Sequence, residues 1–406
     1  MKTINFKTPE IFYNIKILVD KNLIFQYFED EQYNGRVITI NGKKLLYFAS
    51  CSYLGLETHP KLKEGAINSV IKYGTQTPSS RAVVSCPLYK KIEELLPSMF
   101  PGYSIIFQTV TLAHCSILPL LISNDDVIIL DAYAHNSIRM ASKLCIANGT
   151  QTYVCRHNDM NFLEYLVKRI NKEKKVKNIW YCCDGIYSIH GDMSNIVNLY
   201  KLLDTYQNLY AYIDDAHGTG WCGQNGSGYV FGMHGAHEKT IVVESFAKSM
   251  AALGGCIVVQ DQKLANVIKY TAQTMIFSGP IQPPTLGALY ESIKLHLSSE
   301  ITYLQNKLNN HINYFREKIS ASGLTLITKN KTPIQLLKIG ELSKTYLLQK
   351  FLFENGILTT TTTFPAIAKG DEGIRITLTN HLHTEDIDKL ADLIAEFLNS
   401  KKYKNV

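Results

Sequence analysis

Glu244-Ser245-Phe246-Ala247-Lys248, followed by Gly254-Gly255, is the stretch on which the reading of this 406-residue chain turns. Upstream of it stands Asp214-Asp215-Ala216-His217-Gly218-Thr219-Gly220. Each segment follows a short apolar run, Tyr210–Ile213 and Thr240–Val243, and such runs read as buried strands. A lysine just past the C-terminal end of a strand is well placed for chemistry. Alone, a lysine is nearly always a solvated surface residue. An Asp-Asp pair after a strand reads equally as a helix cap or a Mg²⁺ ligand. Their order and separation together are more specific.

Outward from these motifs, helical and strand patterns alternate between about 61 and 285. Strands are expected at Ser104–Phe107, Val127–Leu130, Thr152–Cys155, Asn178–Cys182, Leu209–Ile213, Ile241–Val243 and Cys256–Val259. Such alternation argues an α/β fold with a mostly parallel central sheet flanked by helices. Residues 1–60 read as a helix and a short hairpin, Val37–Ile40 and Lys44–Phe48, with Asn41-Gly42 as the turn. Residues 286–406 read as a smaller C-terminal α+β lobe. It opens on a long helical stretch, Leu286–Ala321, and closes on a helix at Thr384–Ser400, with the extended, β-prone run Thr359–Thr363 between them. Glu385-Asp386 suits the start of that last helix. His157-Asn158-Asp159 reads as a cap for the helix after it, and His190 as a turn residue.

Bulk properties fit a cytoplasmic enzyme. Hydrophobic residues make up 46% and charged residues 19%, enough for a sizeable core. A net charge of +7 is far from a nucleic-acid footprint, and the Lys172–Lys177 cluster reads as a solvated loop. The nine cysteines have no metal spacing and no C-x-x-C, so reduced thiols and no metal site are expected. Cys182 and Cys183, adjacent on a strand, should face opposite sides. The first residues carry no apolar signal core, and no apolar run is long enough for an integral membrane segment.

Lys248 and Asp214 have a chemical reading. A pyridoxal phosphate enzyme holds its cofactor as a Schiff base on a lysine. It also sets a carboxylate against the pyridinium nitrogen, so that the ring acts as an electron sink.

Several motifs carry a resemblance to a known family. They are Asp214–Gly220 with Gly226-x-Gly228, the Lys248 motif, Tyr53-Leu54-Gly55-Leu56 with His59-Pro60, Asp184–Asp192, and Ile374-Arg375-Ile376-Thr377-Leu378-Thr379. Over roughly residues 45–400 the chain resembles the α-oxoamine synthases, fold-type I pyridoxal phosphate enzymes. That family includes 8-amino-7-oxononanoate synthase, 2-amino-3-ketobutyrate CoA ligase, 5-aminolevulinate synthase and serine palmitoyltransferase. The resemblance implies the fold-type I transferase fold and pyridoxal 5'-phosphate as cofactor. It implies that Lys248 forms the Schiff base and moves protons at Cα. Asp214 would pair with the ring nitrogen, His217 would hydrogen-bond the phenolic oxygen, and His135 would stack on the ring. Val110 and Thr111 would bind the phosphate at a helix start, and Ser188 and Ser245 would place hydroxyls near the ring and phosphate. Arg375 would bind the substrate carboxylate, with Arg81 and Cys51 also assigned to substrate. His114, where relatives often carry Asn, either approaches the cofactor or satisfies a local backbone group.

The chain also departs from the family pattern. Cys51 stands for an Asn in Ser50-Cys51-Ser52-Tyr53, the segment Gly74–Arg81 has lost glycines, and Ser227 replaces an Arg. Phe277–Pro284 replaces a shorter segment that relatives send to the partner subunit, so Ser278 and Gly279 would reach the phosphate in a homodimer. These residues mark a divergent member. The implied reaction is decarboxylative condensation of a small α-amino acid with an acyl thioester, on coenzyme A or acyl carrier protein, giving an α-amino ketone. An aminotransferase or amino acid lyase remains the alternative; a cofactor-less scaffold would not need the Lys248, Asp214, His217 and His135 set.

Overall fold

The structure, a computed structural model, describes residues 15–400 apart from 17, 21, 22, 174 and 365. The helix expected at the start of the chain therefore lies largely outside the described residues. The hairpin forms as β1 (Val37–Ile40) and β2 (Lys43–Tyr47), paired antiparallel. Its turn residues Asn41 and Gly42 both take positive φ, 51° and 71°, the geometry a two-residue hairpin loop needs.

All seven strands expected between 61 and 285 are present, each starting or ending within two residues of its expected bounds. They are β3 (Tyr103–Phe107), β4 (Val127–Asp131), β5 (Gln151–Cys155), β6 (Ile179–Asp184), β7 (Leu209–Asp214), β8 (Thr240–Ser245) and β9 (Gly255–Val259). They form one sheet in the order β3-β9-β8-β7-β6-β4-β5. Every pairing is parallel except the two made by β9. Strands β4, β6, β8 and β9 are buried at every residue, and β7 at all but the half-buried Tyr210, because helices cover both faces. That is why they read as unbroken apolar runs rather than alternating ones. Cys182 and Cys183 do face opposite sides, each packed into a different hydrophobic cluster.

The parallel strands all end at one edge. In sheet order, β8, β7, β6 and β4 finish in Ser245, Asp214, Asp184 and Asp131. Three carboxyls and a hydroxyl thus gather at the carboxyl edge, where open α/β sheets bind ligands.

Beyond this sheet lie β10 (Ile334–Lys338), β11 (Ile357–Leu358), β12 (Thr360–Thr362) and β13 (Gly373–Thr377). The order β10-β13-β12 is antiparallel throughout, and the threonine run supplies β12. β11 pairs parallel to β2, so the early hairpin completes a sheet with a late strand. Arg36 strengthens that union: its Nε and guanidinium NH2 donate to both Asp386 oxygens at 2.7 Å. Asp386 also closes the capping box of the helix Thr384–Asn399.

Two local expectations need correction. The long helical stretch is two helices, Pro283–His296 and Glu300–Ala321. At the break the Ser298 hydroxyl donates to Leu295 O and accepts from Glu300 N, so its side chain competes with the helix ladder. The lysine cluster begins inside a helix, Met160–Glu173, rather than in a loop. Among the described residues, no helix is long and apolar enough to cross a membrane.

Candidate active site

A cavity of about 190 Å³ opens at the carboxyl edge of the sheet. Val110, Thr111, His135, Asp214, His217, Ser245 and Lys248 all line it, together with Thr109 and Asp184. The structure therefore gathers, around one space, residues 138 positions apart in sequence, from Val110 to Lys248.

Lys248 lies in the loop between β8 and β9. That loop folds back on itself: Phe246 N donates to Gly254 O, Ala252 N to Phe246 O and Ala251 N to Lys248 O. Burial pulls the Lys248 amine below the ordinary lysine range, which favours its neutral, nucleophilic form.

Asp214 ends β7. Its Oδ1 accepts from Ala216 N at 3.0 Å and its Oδ2 faces His114 Nε2 at 2.9 Å. Burial alone would raise its pKa, but the His114 hydrogen bond and nearby positive charge hold it down to about 2. Asp184 is its direct partner in the β6–β7 register. Burial and the Asp214 charge push Asp184 well above the carboxylate range. Asp184 Oδ1 accepts from His135 N at 3.0 Å and fixes the start of the helix Asn136–Ala147. His135 itself is exposed on the open side of the cavity, with Nδ1 2.6 Å from Ser137 Oγ.

His217 is buried beneath, its Nδ1 2.7 Å from the Tyr53 hydroxyl. Burial, and next the charge of Lys248, hold it well below the usual histidine range, so it is neutral. Val110 and Thr111 begin the helix Val110–Leu121. Thr109 caps it by accepting from Leu112 N at 3.1 Å. The first N–H groups of a helix have no partner within it, and its positive dipole end faces the cavity wall.

Arg375 is buried on β13. Its Nε donates to Ser188 O at 2.7 Å and its NH2 lies 3.8 Å from Cys51 Sγ. Ser188 thus meets the site through its carbonyl. Ser278 and Gly279 do not line the Lys248 cavity of their own chain. Gln108 Nε2 holds both, donating to Ser278 Oγ at 2.7 Å and Gly279 O at 2.8 Å. Arg81 is not brought to the cavity either. It donates to Glu93 at 2.8 Å and to Ile106 O at 2.8 Å, and lies 3.8 Å over the Tyr89 ring. A partner twelve residues away and an aromatic face absorb the charge that the sequence offered to substrate.

Sequence reasoning missed several members of the site. Tyr53, Asp184 and Glu244 stood inside quoted motifs but had no role. Glu244 is fully buried beside Asp215; its Oε2 accepts from Thr219 at 2.6 Å, and burial pushes both acids up, Asp215 to about 8. His157 bridges Asp131 at 2.9 Å and Asp192 at 2.7 Å instead of capping. Burial would lower its pKa, but the two carboxylates lift it to about 9. Asp159 provides the cap, accepting from Phe162 N at 2.9 Å. His190 stacks on Tyr133 at 4.3 Å.

The donor set fits pyridoxal 5'-phosphate. It offers a lysine biased towards the neutral amine, an ionised aspartate for a protonated ring nitrogen, and a helix start for a dianion.

Comparison with known proteins follows the same lines. The family described as aminotransferase class I and II matches residues 76–394. The 8-amino-7-oxononanoate synthase of Alkaliphilus metalliredigens is 31% identical over 89% of this chain and 89% of its own. The serine palmitoyltransferase of Bacteriovorax stolpii is 28% identical over 96% of this chain and 91% of its own. The solved structure of a serine palmitoyltransferase from S. paucimobilis, with a bound PLP–myriocin aldimine, superposes with a TM-score of 0.87. It is 20% identical and covers 98% of each chain, a likeness of fold.

Proposed function

The chain belongs to the aminotransferase class I and II family, in its α-oxoamine synthase branch, and on that premise we propose how its site works. It condenses a small α-amino acid with an acyl thioester, with loss of CO₂, and releases an α-amino ketone. Its cofactor is pyridoxal 5'-phosphate. The observation that carries this reading is the convergence of Lys248, Asp214, His217 and the Val110 helix start on one cavity.

When bound, the cofactor supplies an electron sink for charge left at the amino acid Cα. The chain's residues do the rest. Lys248 would hold the cofactor through its amine, and its position would let it take and return the substrate Cα proton from close range. Asp214, ionised in the cavity wall, would keep the ring nitrogen protonated. His217, with Nδ1 2.7 Å from the Tyr53 hydroxyl, would hydrogen-bond the phenolic oxygen through Nε2. His135, in the cavity wall, would cover the ring face and exclude water. N–H groups of Val110 and Thr111 would hold the phosphate, and the Ser245 and Ser188 segments would flank the cofactor. Arg375, next to Cys51, clamps the amino acid carboxylate, since a guanidinium fork matches a carboxylate.

The active form is a homodimer in the cytoplasm. Ser278 and Gly279 of each chain complete the phosphate site of the other, which is consistent with their not lining the cavity of their own chain. Exposed Phe277, Ile71 and Leu253 suit an interface. Light scattering should give about twice the 45.8 kDa chain mass.

The test is a matrix of amino acids against acyl-CoA and acyl carrier protein thioesters, with thiol and CO₂ measured together. Equal release of both supports the condensation. Amino transfer to a keto acid without thiol release would make the enzyme an aminotransferase instead.

A further inference from the structure

We propose that His114, braced by Tyr212, is a positioning residue that fixes the orientation and charge of Asp214 towards the cofactor ring nitrogen. This rests on the function proposed above and deepens it.

His114 is fully buried on the helix Val110–Leu121. Its two ring nitrogens reach two side chains of β7: Nε2 lies 2.9 Å from Asp214 Oδ2 and Nδ1 lies 2.8 Å from the Tyr212 hydroxyl. Tyr212 and Asp214 are two positions apart on the strand and so share a face. The imidazole spans that face as a bridge, edge-on to the Tyr212 ring at 5.5 Å. It satisfies no local backbone group.

The hydrogen-bond roles follow from chemistry. An ionised carboxylate only accepts, so His114 donates from Nε2. With the proton on Nε2, Nδ1 is placed to accept from the Tyr212 O–H. Ala216 N supplies the donor to the other Asp214 oxygen. Each oxygen is thus pinned, and the carboxylate plane is set before any ligand arrives. The bridge also decides a competition. Asp184 and Asp214 face each other on neighbouring strands, and two like charges there oppose each other. Only Asp214 has an imidazole donor, so Asp214 carries the charge.

Two measurements test this. In the cofactor-free protein, NMR of ¹⁵N-labelled histidine should show His114 as the Nε2–H tautomer. The Nδ1–H tautomer would overturn the proposal, whatever the enzyme catalyses. In the loaded protein, the ¹⁵N signal of the labelled cofactor ring nitrogen should move towards the unprotonated value in His114→Phe. It should return in His114→Gln, which keeps a donor. kcat should fall about tenfold to a hundredfold in His114→Phe, the scale of a lost charge-assisted hydrogen bond, while the amino acid KM holds. A folded His114→Phe protein with wild-type ring signal and kcat would overturn the proposal. A wild-type protein that takes no cofactor would instead refute the proposed function and leave the tautomer result standing.

Discussion

The Tyr53 hydroxyl lies 2.7 Å from Nδ1 of His217, tying the segment after the early hairpin to the loop after β7. Both side chains are buried and the imidazole is neutral, so a Tyr53 O–H that donates to Nδ1 leaves the ring proton on Nε2. Tyr53→Phe frees His217 to change tautomer. It should lower kcat about fivefold, the size of one neutral hydrogen bond, without loss of the cofactor. Steady-state kinetics with an unchanged kcat would remove Tyr53 from the account.

Asp214→Asn should keep the cofactor bound, because the Val110 helix start is untouched. The amide cannot hold a proton on the ring nitrogen. Activity should fall about a hundredfold or more, as when a preorganised electrostatic group is removed. Equilibrium dialysis and turnover measured on the same sample separate the two effects.

Arg375 and Cys51 should govern amino acid handling. Arg375→Ala should raise the amino acid KM roughly tenfold or more, as for a lost charge-assisted contact. Part of that effect passes through the Ser188 carbonyl, which Arg375 also holds. Cys51→Asn should change amino acid preference more than cofactor affinity. Unchanged amino acid kinetics in both variants would place the carboxylate site elsewhere.

Acid should destabilise the fold through buried neutral histidines. His296 is fully buried, with Nδ1 2.8 Å from Ser292 O, and burial lowers its pKa to about 4. Its folded value lies below the unfolded one, so its contribution is complete above pH 6.5 and is lost as pH falls towards 4. The loss amounts to about 3 kcal/mol at most. His296→Phe should be less stable at neutral pH but should flatten this slope. Denaturant unfolding between pH 7 and 4.5 measures it, and an unchanged slope would contradict the assignment.

The main sheet was legible because its central strands are buried on both faces and carry short apolar runs, separated by helical patterns, whose length suits strands. The helix break at Ser298 was not, because apolar periodicity continues across it and a single hydroxyl makes the difference. In the site, Lys248, Asp214 and His217 could be placed because strand ends deliver them to one edge. His114 and Tyr53 could not, since their partners lie 100 and 164 residues away. Arg81 misled for the same reason: a cation in a substrate-type segment reveals nothing of the carboxylate and ring that neutralise and cover it. Glu244 went unassigned because a charge inside an apolar strand announces burial, and its neighbour Asp215 becomes visible only when β7 and β8 are side by side.

The most direct test is borohydride reduction of the loaded protein followed by peptide mass mapping. The account predicts the cofactor mass on the peptide carrying Lys248 and on no other, and no trapped cofactor in Lys248→Ala. Cofactor trapped on a different lysine, or undiminished turnover in Lys248→Ala, would contradict it.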